Sequence, residues 1–387
     1  MDAVNAHTLV VVDALKEVAQ KMTLSNILSL LPKVGKAAVC VLFLLNIRSW
    51  PLVWHFRIFR PAILMRARHH LVMLSAMFKS PKQRDIVEDR WLDSISPIGS
   101  NPFTKVVSFK TWASFDDSDF NGHLSNSSYA KTCDSARFKA AVQMFPRLFP
   151  IGGWIPLAAT HYHFINEIPM LSSYEVRTSI AAWDQKWLYV RSKFVRKSDG
   201  KRTKAVHKAP TPTSDSDPIR TELIPLHTVV AEDVSVATTP FSGTPLPNSN
   251  SSPSTESALK AVAADLAGAE PDGAQLHTIV VSQLCFKIGR ITIPPALVLA
   301  INGFTGASGF SIASPHPQWA QVQALVSKPN GGSKHTMRKF LQGGWRDVPE
   351  GERWWETALG PEVEEKRARN LQLIDKLRQG LEGGRTI

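Results

Sequence analysis

Apolar and small residues recur at helical spacing through Tyr129, Cys133, Ala136, Ala140 and Met144, with Ala141 and Phe145 beside them. That stripe is wide enough for a helix buried on much of its circumference. The pattern predicts a helix starting close to Asn126, with Asn126 or Ser127 capping its first backbone donors. Pro146 should end or kink it, and Phe149-Pro150 stops any remainder, because the residue before a proline is pushed out of the α region. The pattern then changes period. Trp154 to Phe164, Tyr174 to Trp183 and Leu188 to Val195 are β-rich runs. In the second, Tyr174, Val176, Thr178, Ile180 and Ala182 take one face while Glu175, Arg177 and Ser179 take the other. A strand from Phe103 to Trp112 precedes the helix, and Leu276 to Ile291 restores the strand pattern later. One long apolar helix among antiparallel strands predicts an α+β domain in which a sheet wraps around that helix.

The flanks read differently. Residues 1–31 read as a modest amphipathic helix, expected to break at Leu31-Pro32. Ala37 to Ile47 is the most apolar run, 11 residues long, short of the roughly 17–25 needed to cross a bilayer. It continues into Trp50, Trp54, Arg57 and Arg60, a mixture suited to a lipid headgroup zone. Membrane association through residues 37–60 is therefore expected, with a buried core helix as the alternative. If the segment spans, the arginines after it put the following domain on the cytosolic side. Ala62 to Ile98 reads as a basic, helical connector. Between Arg196 and Gln275 the alternation stops, and nine prolines lie from Pro210 to Pro271 inclusive. Such a stretch cannot bury enough surface to offset its ordering entropy. The expected organisation is a helical, membrane-associating region at 1–100, a sheet-and-helix domain at 101–300 with a disordered insertion at 197–275, and a C-terminal extension at 301–387. Its terminal helix, Pro361 to Gln379, has proline and glutamates at its start, basic residues near its end and Gly380 after it. With the core starting near Phe103, the first 60 residues are expected to be removable.

Asp119-Phe-Asn-Gly122-His123-Leu-Ser-Asn126-Ser-Ser-Tyr129, followed by Asp134-Ser-Ala-Arg137, resembles the D-x-x-G-H-x-N-N-x-x-Y…D-x-A-R signature of hotdog-fold acyl-CoA thioesterases of the 4-hydroxybenzoyl-CoA thioesterase type. Within that family the chain looks most similar to the membrane-associated "thioesterase superfamily member six" branch and its fungal thioesterase/thiol ester dehydrase-isomerase relatives. Ser125 stands where the signature has its first Asn. Phe286 to Pro295 resembles the family's closing segment, so the likeness runs from about Phe103 to Pro295, interrupted by the insertion. The resemblance implies a two-fold homodimer with sheets joined edge to edge, and an acyl-CoA or carrier-protein-bound acyl thioester as substrate. It implies no cofactor.

Composition narrows the partners. A net charge of +12 suits a polyanion, a membrane surface or a phosphorylated ligand. There is no zinc-finger spacing, RNP signature or basic helix with interleaved aromatics, so nucleic acid is not the expected partner. Three cysteines, Cys40, Cys133 and Cys285, are widely spaced and odd in number, which favours a reducing compartment.

Thioester hydrolysis needs an attacking carboxylate or an activated water, together with donors for the carbonyl oxygen. Asp119 matches the family's catalytic carboxylate at the D-x-x-G-H spacing, and Asp116 and Asp117 do not. Gly122 permits a tight turn and close approach of the main chain. His123 is a candidate to orient substrate or assist proton transfer, with a structural bond to its loop as the alternative. Asn126 is expected to cap the helix and Tyr129 to lie in the core. Asp134 and Arg137 form an i,i+3 ion pair at the helix surface or a subunit interface. Arg196 and Lys197, at the end of a strand, are candidates for the CoA phosphates, or a solvated strand end. His161 and His163 share a strand face with no third metal ligand at suitable spacing, so no metal is expected. Gly306-Ala-Ser308-Gly309-Phe310 lacks the last glycine of G-x-S-x-G. The competing function is a catalytically weak hotdog that binds acyl thioesters or partners as a scaffold at a membrane.

Overall fold

Prolines lie inside two of the N-terminal helices and open a third. The structure is a computed structural model that describes residues 24–197, 270, 272–307 and 309–383. The amphipathic segment before residue 24 and nearly all of the 197–275 insertion lie outside the described residues. Helix α1 (Leu24–Leu45) runs straight through Pro32, so the expected break at Leu31-Pro32 does not occur. A proline removes one backbone donor and crowds one carbonyl; the apolar turns on either side carry the helix past it. Helix α2 (Val53–Ser75) likewise contains Pro61. Helix α3 (Pro81–Ile95) starts with a capping box, Ser80 and Gln83 exchanging bonds with each other's backbone, and with proline at its first position. The connector read from Ala62 to Ile98 is therefore the second half of α2, a turn and α3. Among the described residues no helix is long and apolar enough to cross a membrane.

The main sheet contains β1 (Val106–Trp112), β3 (Leu157–Phe164), β4 (Ser173–Trp183), β5 (Leu188–Lys197) and β6 (Ala274–Leu284). Their order is β1-β4-β5-β6-β3, every pair antiparallel. Strand β2 (Gly153–Trp154) belongs instead to a small sheet with β7 (Phe286–Ile288) and β8 (Ile291–Ile293). Tyr174, Val176, Thr178, Ile180 and Ala182 of β4 are all buried, as the alternation predicts. The central helix α4 (Asn126–Met144) packs on this face and ends two residues before Pro146. Tyr129 stands 4.9 Å from the Phe194 ring, the Thr132 and Tyr174 hydroxyls are 3.1 Å apart, and Phe145 meets Phe286 edge to face at 4.8 Å. The cysteines are free, and burial pushes the Cys133 thiol up to about 12. This sheet curled around one helix is the hotdog fold.

The C-terminal residues are part of the same core. Helices α5 (Pro295–Ile301), α6 (Trp319–Val326), α7 (Lys334–Leu341) and α8 (Trp354–Thr357) bury Leu297, Val322, Met337 and Trp355 in one cluster with Phe145 and Phe286. Helix α3 clamps them from outside, where Asp89 accepts from Ser327 and Asp85 and Glu88 pair with Lys328 and Lys334. Buried Arg147, just past α4, pairs with Asp93 of α3. Helix α9 (Pro361–Gly383) continues through Gly380, the expected stop, and Arg367 and Asn370 donate to the β4 carbonyls of Trp183 and Ala181.

Candidate active site

Asp119 to Gly122 form a tight turn, in which the Gly122 N–H donates to the Asp119 carbonyl at 3.1 Å. Gly122 has φ +76°, a conformation L side chains resist. The Asp119 carboxylate lies at the surface. Its Oδ1 accepts from the backbone N–H groups of Asn121 and His123 at 3.0 and 3.2 Å, while Oδ2 has no hydrogen bond among the described residues. The loop is stitched to the segment before β4. Leu124 N–H donates to Ile168, and Met170 N–H donates to Gly122, both at 2.8 Å. Phe120, next to the carboxylate, is 97% exposed.

Asp117 is a different kind of residue. It is 1% exposed and accepts from Arg48 at 2.9 Å, Lys131 at 2.8 Å and Ser114 at 2.9 Å, with Arg57 4.0 Å away. Burial opposes its charge, yet the bonds from Lys131, Arg48 and Ser114 outweigh burial and hold its carboxyl below the ordinary value. Its oxygens are taken by Arg48, Lys131 and Ser114, so Asp117 is a buried ion-pair residue rather than a solvated one. Arg48 also donates to the Trp112 carbonyl at 2.6 Å and lies over the Trp112 ring, and Ser49 donates to Asp116 at 2.8 Å. The sequence held no sign that Arg48 and Arg57 join Lys131 in this network, because the two arginines come from a segment that reads as membrane-directed.

Ser125, not Asn126, occupies the N-cap of α4, and its side chain accepts no bond from the backbone N–H groups of the first turn. Its hydroxyl goes to Ser127 and Ser128 instead. Asn126 is the first helical residue and is exposed, so it does not cap as expected. The Ser128 N–H donates to the Ser125 carbonyl at 2.9 Å, which leaves the Asn126 and Ser127 N–H groups without a backbone acceptor among the described residues; with the partial positive charge of the helix start, they are an arrangement able to bind a developing oxyanion.

His123 Nδ1 lies 3.1 Å from Glu167 Oε2 but off the line a hydrogen bond needs, so among the described residues that nitrogen has no hydrogen-bond partner. Tyr129 is buried beneath the loop, as expected, and burial raises its pKa. The pairings of Phe164 with Thr278 and of Val195 with Glu175 put the end of β5, with Arg196 and Lys197, at the same end of the sheet as Tyr129 and the start of α4. Asp119, Gly122, His123 and Asn126 thus share one loop and helix start, and Arg196 and Lys197 extend from that end. Asp134 and Arg137 pair at 2.6 Å, and Arg137, largely buried, also donates to Ser282 of β6 at 3.0 Å.

A cavity of about 470 Å³ lies at the opposite end, against the C-terminal half of α4. Phe138 and Ala141 of α4, Phe145 just after it, Leu157 of β3, and Trp54 and Ile58 of α2 are among its walls. Sequence reading missed it, because no local pattern shows α2 folding onto α4.

Residues 113–211 match the thioesterase-like superfamily profile. The chain is 35% identical over 97 residues to a probable thioesterase of Saccharomyces cerevisiae, covering 24% of this chain and 41% of that protein. It is 33% identical over 86 residues to Protein THEM6 of Danio rerio, covering 22% and 43%. It is 25% identical over 178 residues to the thioesterase poxG of Penicillium oxalicum, covering 42% and 52%. The matches thus span about half the length of these relatives or less. Among solved structures, 4-hydroxybenzoyl CoA thioesterase from Pseudomonas sp. strain CBS-3 superposes with a TM-score of 0.28 at 12% identity, over 51% of this chain and 99% of that one, too slight a likeness to bear on the site. Residues 113–211, which carry the Asp119 loop, the central helix and the strands after it, are thus similar to the thioesterase-like superfamily.

Proposed function

We propose that the protein hydrolyses acyl thioesters, using Asp119 as nucleophile or general base. The observation that carries this reading is a surface carboxylate, held by two backbone N–H groups, in a loop leading directly to the uncapped start of a buried helix. In the direct route, an Asp119 oxygen attacks the thioester carbonyl, the carbonyl oxygen gains negative charge, and the first turn of α4 stabilises it. Collapse expels the thiolate, which takes a proton from water, and a second water cleaves the acyl-aspartate to release the acid. In the general-base route, Asp119 takes a proton from water as that water attacks. His123 orients the substrate or assists proton transfer, and Gly122 lets the main chain approach the thioester.

The substrate is an acyl-CoA or carrier-protein-bound acyl thioester, with Arg196 and Lys197 toward the CoA phosphates. The working form is a homodimer. Exposed Phe120, Phe164 and Leu171 around the loop, and the open edge of β3, support a partner that covers this end and excludes water from it. Residues 37–60 attach the protein to a membrane, with the catalytic domain facing the cytosol. Exposed Val39, Leu42, Phe43 and Phe56 beside exposed Lys36 and Arg60 support an anionic surface as the target. Hydrolysis across a panel of acyl-CoA thioesters by the full chain tests the activity. Release of free thiol is expected, and its absence with every acyl group tried overturns the reading.

A further inference from the structure

The cavity lies along α4 but not at Asp119. Asn126 begins the helix and Asp134 is the first α4 residue in the cavity wall, about 12 Å further along the axis at 1.5 Å per residue. A half-buried stripe connects the two, running through Ala130, Asp134, Arg137, Phe138 and Ala141 at helical spacing. Edge strand β3 faces this stripe, with Phe164 against Tyr129 at one end and Thr160 near Arg137 further along. The charges at the cavity mouth belong to Asp134 and Arg137, which neutralise one another. The remaining wall is apolar, and its volume falls within the range of small-molecule sites, about 300–1,000 Å³.

We propose that this cavity receives the far end of a long, linear acyl chain, and that helix α2 closes it and so meters chain length. The proposal rests on the hydrolase reading for the position of the thioester, and it extends that reading to a substrate class. The length argument is simple. An acyl chain of bilayer lipid spans about 15 Å, half the hydrocarbon core, so it can bridge the gap from the helix start and enter the cavity. A chain of half that length ends in the groove and leaves the cavity empty. The metering comes from outside the sheet-and-helix unit: Trp54 and Ile58 of α2 stand in the wall, and Phe59 holds α2 to Phe138 edge to face at 5.6 Å.

The test uses the full chain and cis-parinaric acid, a linear polyene fatty acid whose fluorescence rises in an apolar site. Ala141→Phe fills the cavity from α4, and Leu188→Phe fills it independently from β5. Both should weaken parinaric acid binding at least tenfold and lower the palmitoyl-CoA to octanoyl-CoA ratio of kcat/KM at least tenfold, with the unfolding midpoint confirming a folded protein. Trp54→Ala should move the preferred chain length upward. Unchanged binding and an unchanged ratio in both filled variants would overturn the proposal. Cavity-dependent fatty-acid binding without hydrolysis of any acyl-CoA would sustain the pocket and overturn only the hydrolase reading.

Discussion

The Asp117 carboxylate lies 2.9 Å from the Arg48 guanidinium, 69 residues earlier in the chain. That bond fastens the segment between α1 and α2 to the loop that leads into Asp119. Removing one partner of a buried charge pair leaves the other charges uncompensated, at a cost of about 3–5 kcal/mol. Asp117→Ala should therefore lower the unfolding free energy by about 3 kcal/mol, measured by denaturant titration at pH 7. Because the folded pKa of Asp117 is depressed, its contribution is fully present above the unfolded value, about 3.9. It is lost as the pH falls through the folded value. The difference between wild type and Asp117→Ala should stay constant from about pH 5 to pH 8 and shrink only below about pH 4.

Removal of residues 1–60 should destabilise the domain as well as alter any membrane attachment. The truncation takes away Arg48, Arg57 and buried Ile58, and leaves Asp117 with Lys131 and Ser114 alone. A lower unfolding midpoint in the truncated protein is the expected outcome, and Arg48→Ala should reproduce part of it. An unaltered midpoint would mean that the clamp contributes little.

Gly122 offers a local test of the loop. A Cβ there meets nothing within 4 Å, so the effect of Gly122→Ala comes from its φ of +76° alone. Placing alanine in that conformation costs about 1–2 kcal/mol, and asparagine tolerates it better. Gly122→Ala should lower stability by about 1 kcal/mol, and Gly122→Asn by less. Equal losses would point to a steric cause.

Charge reversal at Arg196 and Lys197 separates a nucleotide-binding role from a solvated strand end. The double variant should raise KM for acyl-CoA more than for a short thioester lacking the nucleotide, as steady-state kinetics on both substrates would reveal. Equal changes would take the pair out of the site.

The central helix and β4 were legible in the sequence because burial there largely follows one period, from Tyr129 to Met144 and from Tyr174 to Ala182, although Ser179, expected on the opposite face of β4, is buried too. The position of Asp119 was legible from a short motif whose spacing fixes a turn. What was not legible depends on distant chain meeting in space. Asp117 looks like its neighbours until Arg48 arrives from 69 residues away. Trp54 and Ile58 look like membrane residues until α2 lies against α4 and they wall the cavity. The C-terminal helices carry too little periodic pattern to reveal that Met337 and Trp355 complete the core around Phe145. Proline misled in one place, since Pro32 sits inside α1 rather than at its boundary.

Asp119→Asn bears most directly on the proposed chemistry. Asparagine keeps the size of the side chain and an oxygen for the Asn121 and His123 N–H groups, and the position is exposed, so the fold should be retained. The charge and the attacking oxygen are lost. Single-turnover and steady-state hydrolysis of an acyl-CoA should fall by about 100-fold or more in kcat, with KM little changed and the unfolding midpoint within a degree or two of wild type. Full activity in Asp119→Asn, measured on protein shown to be folded, would contradict Asp119 as the catalytic carboxylate.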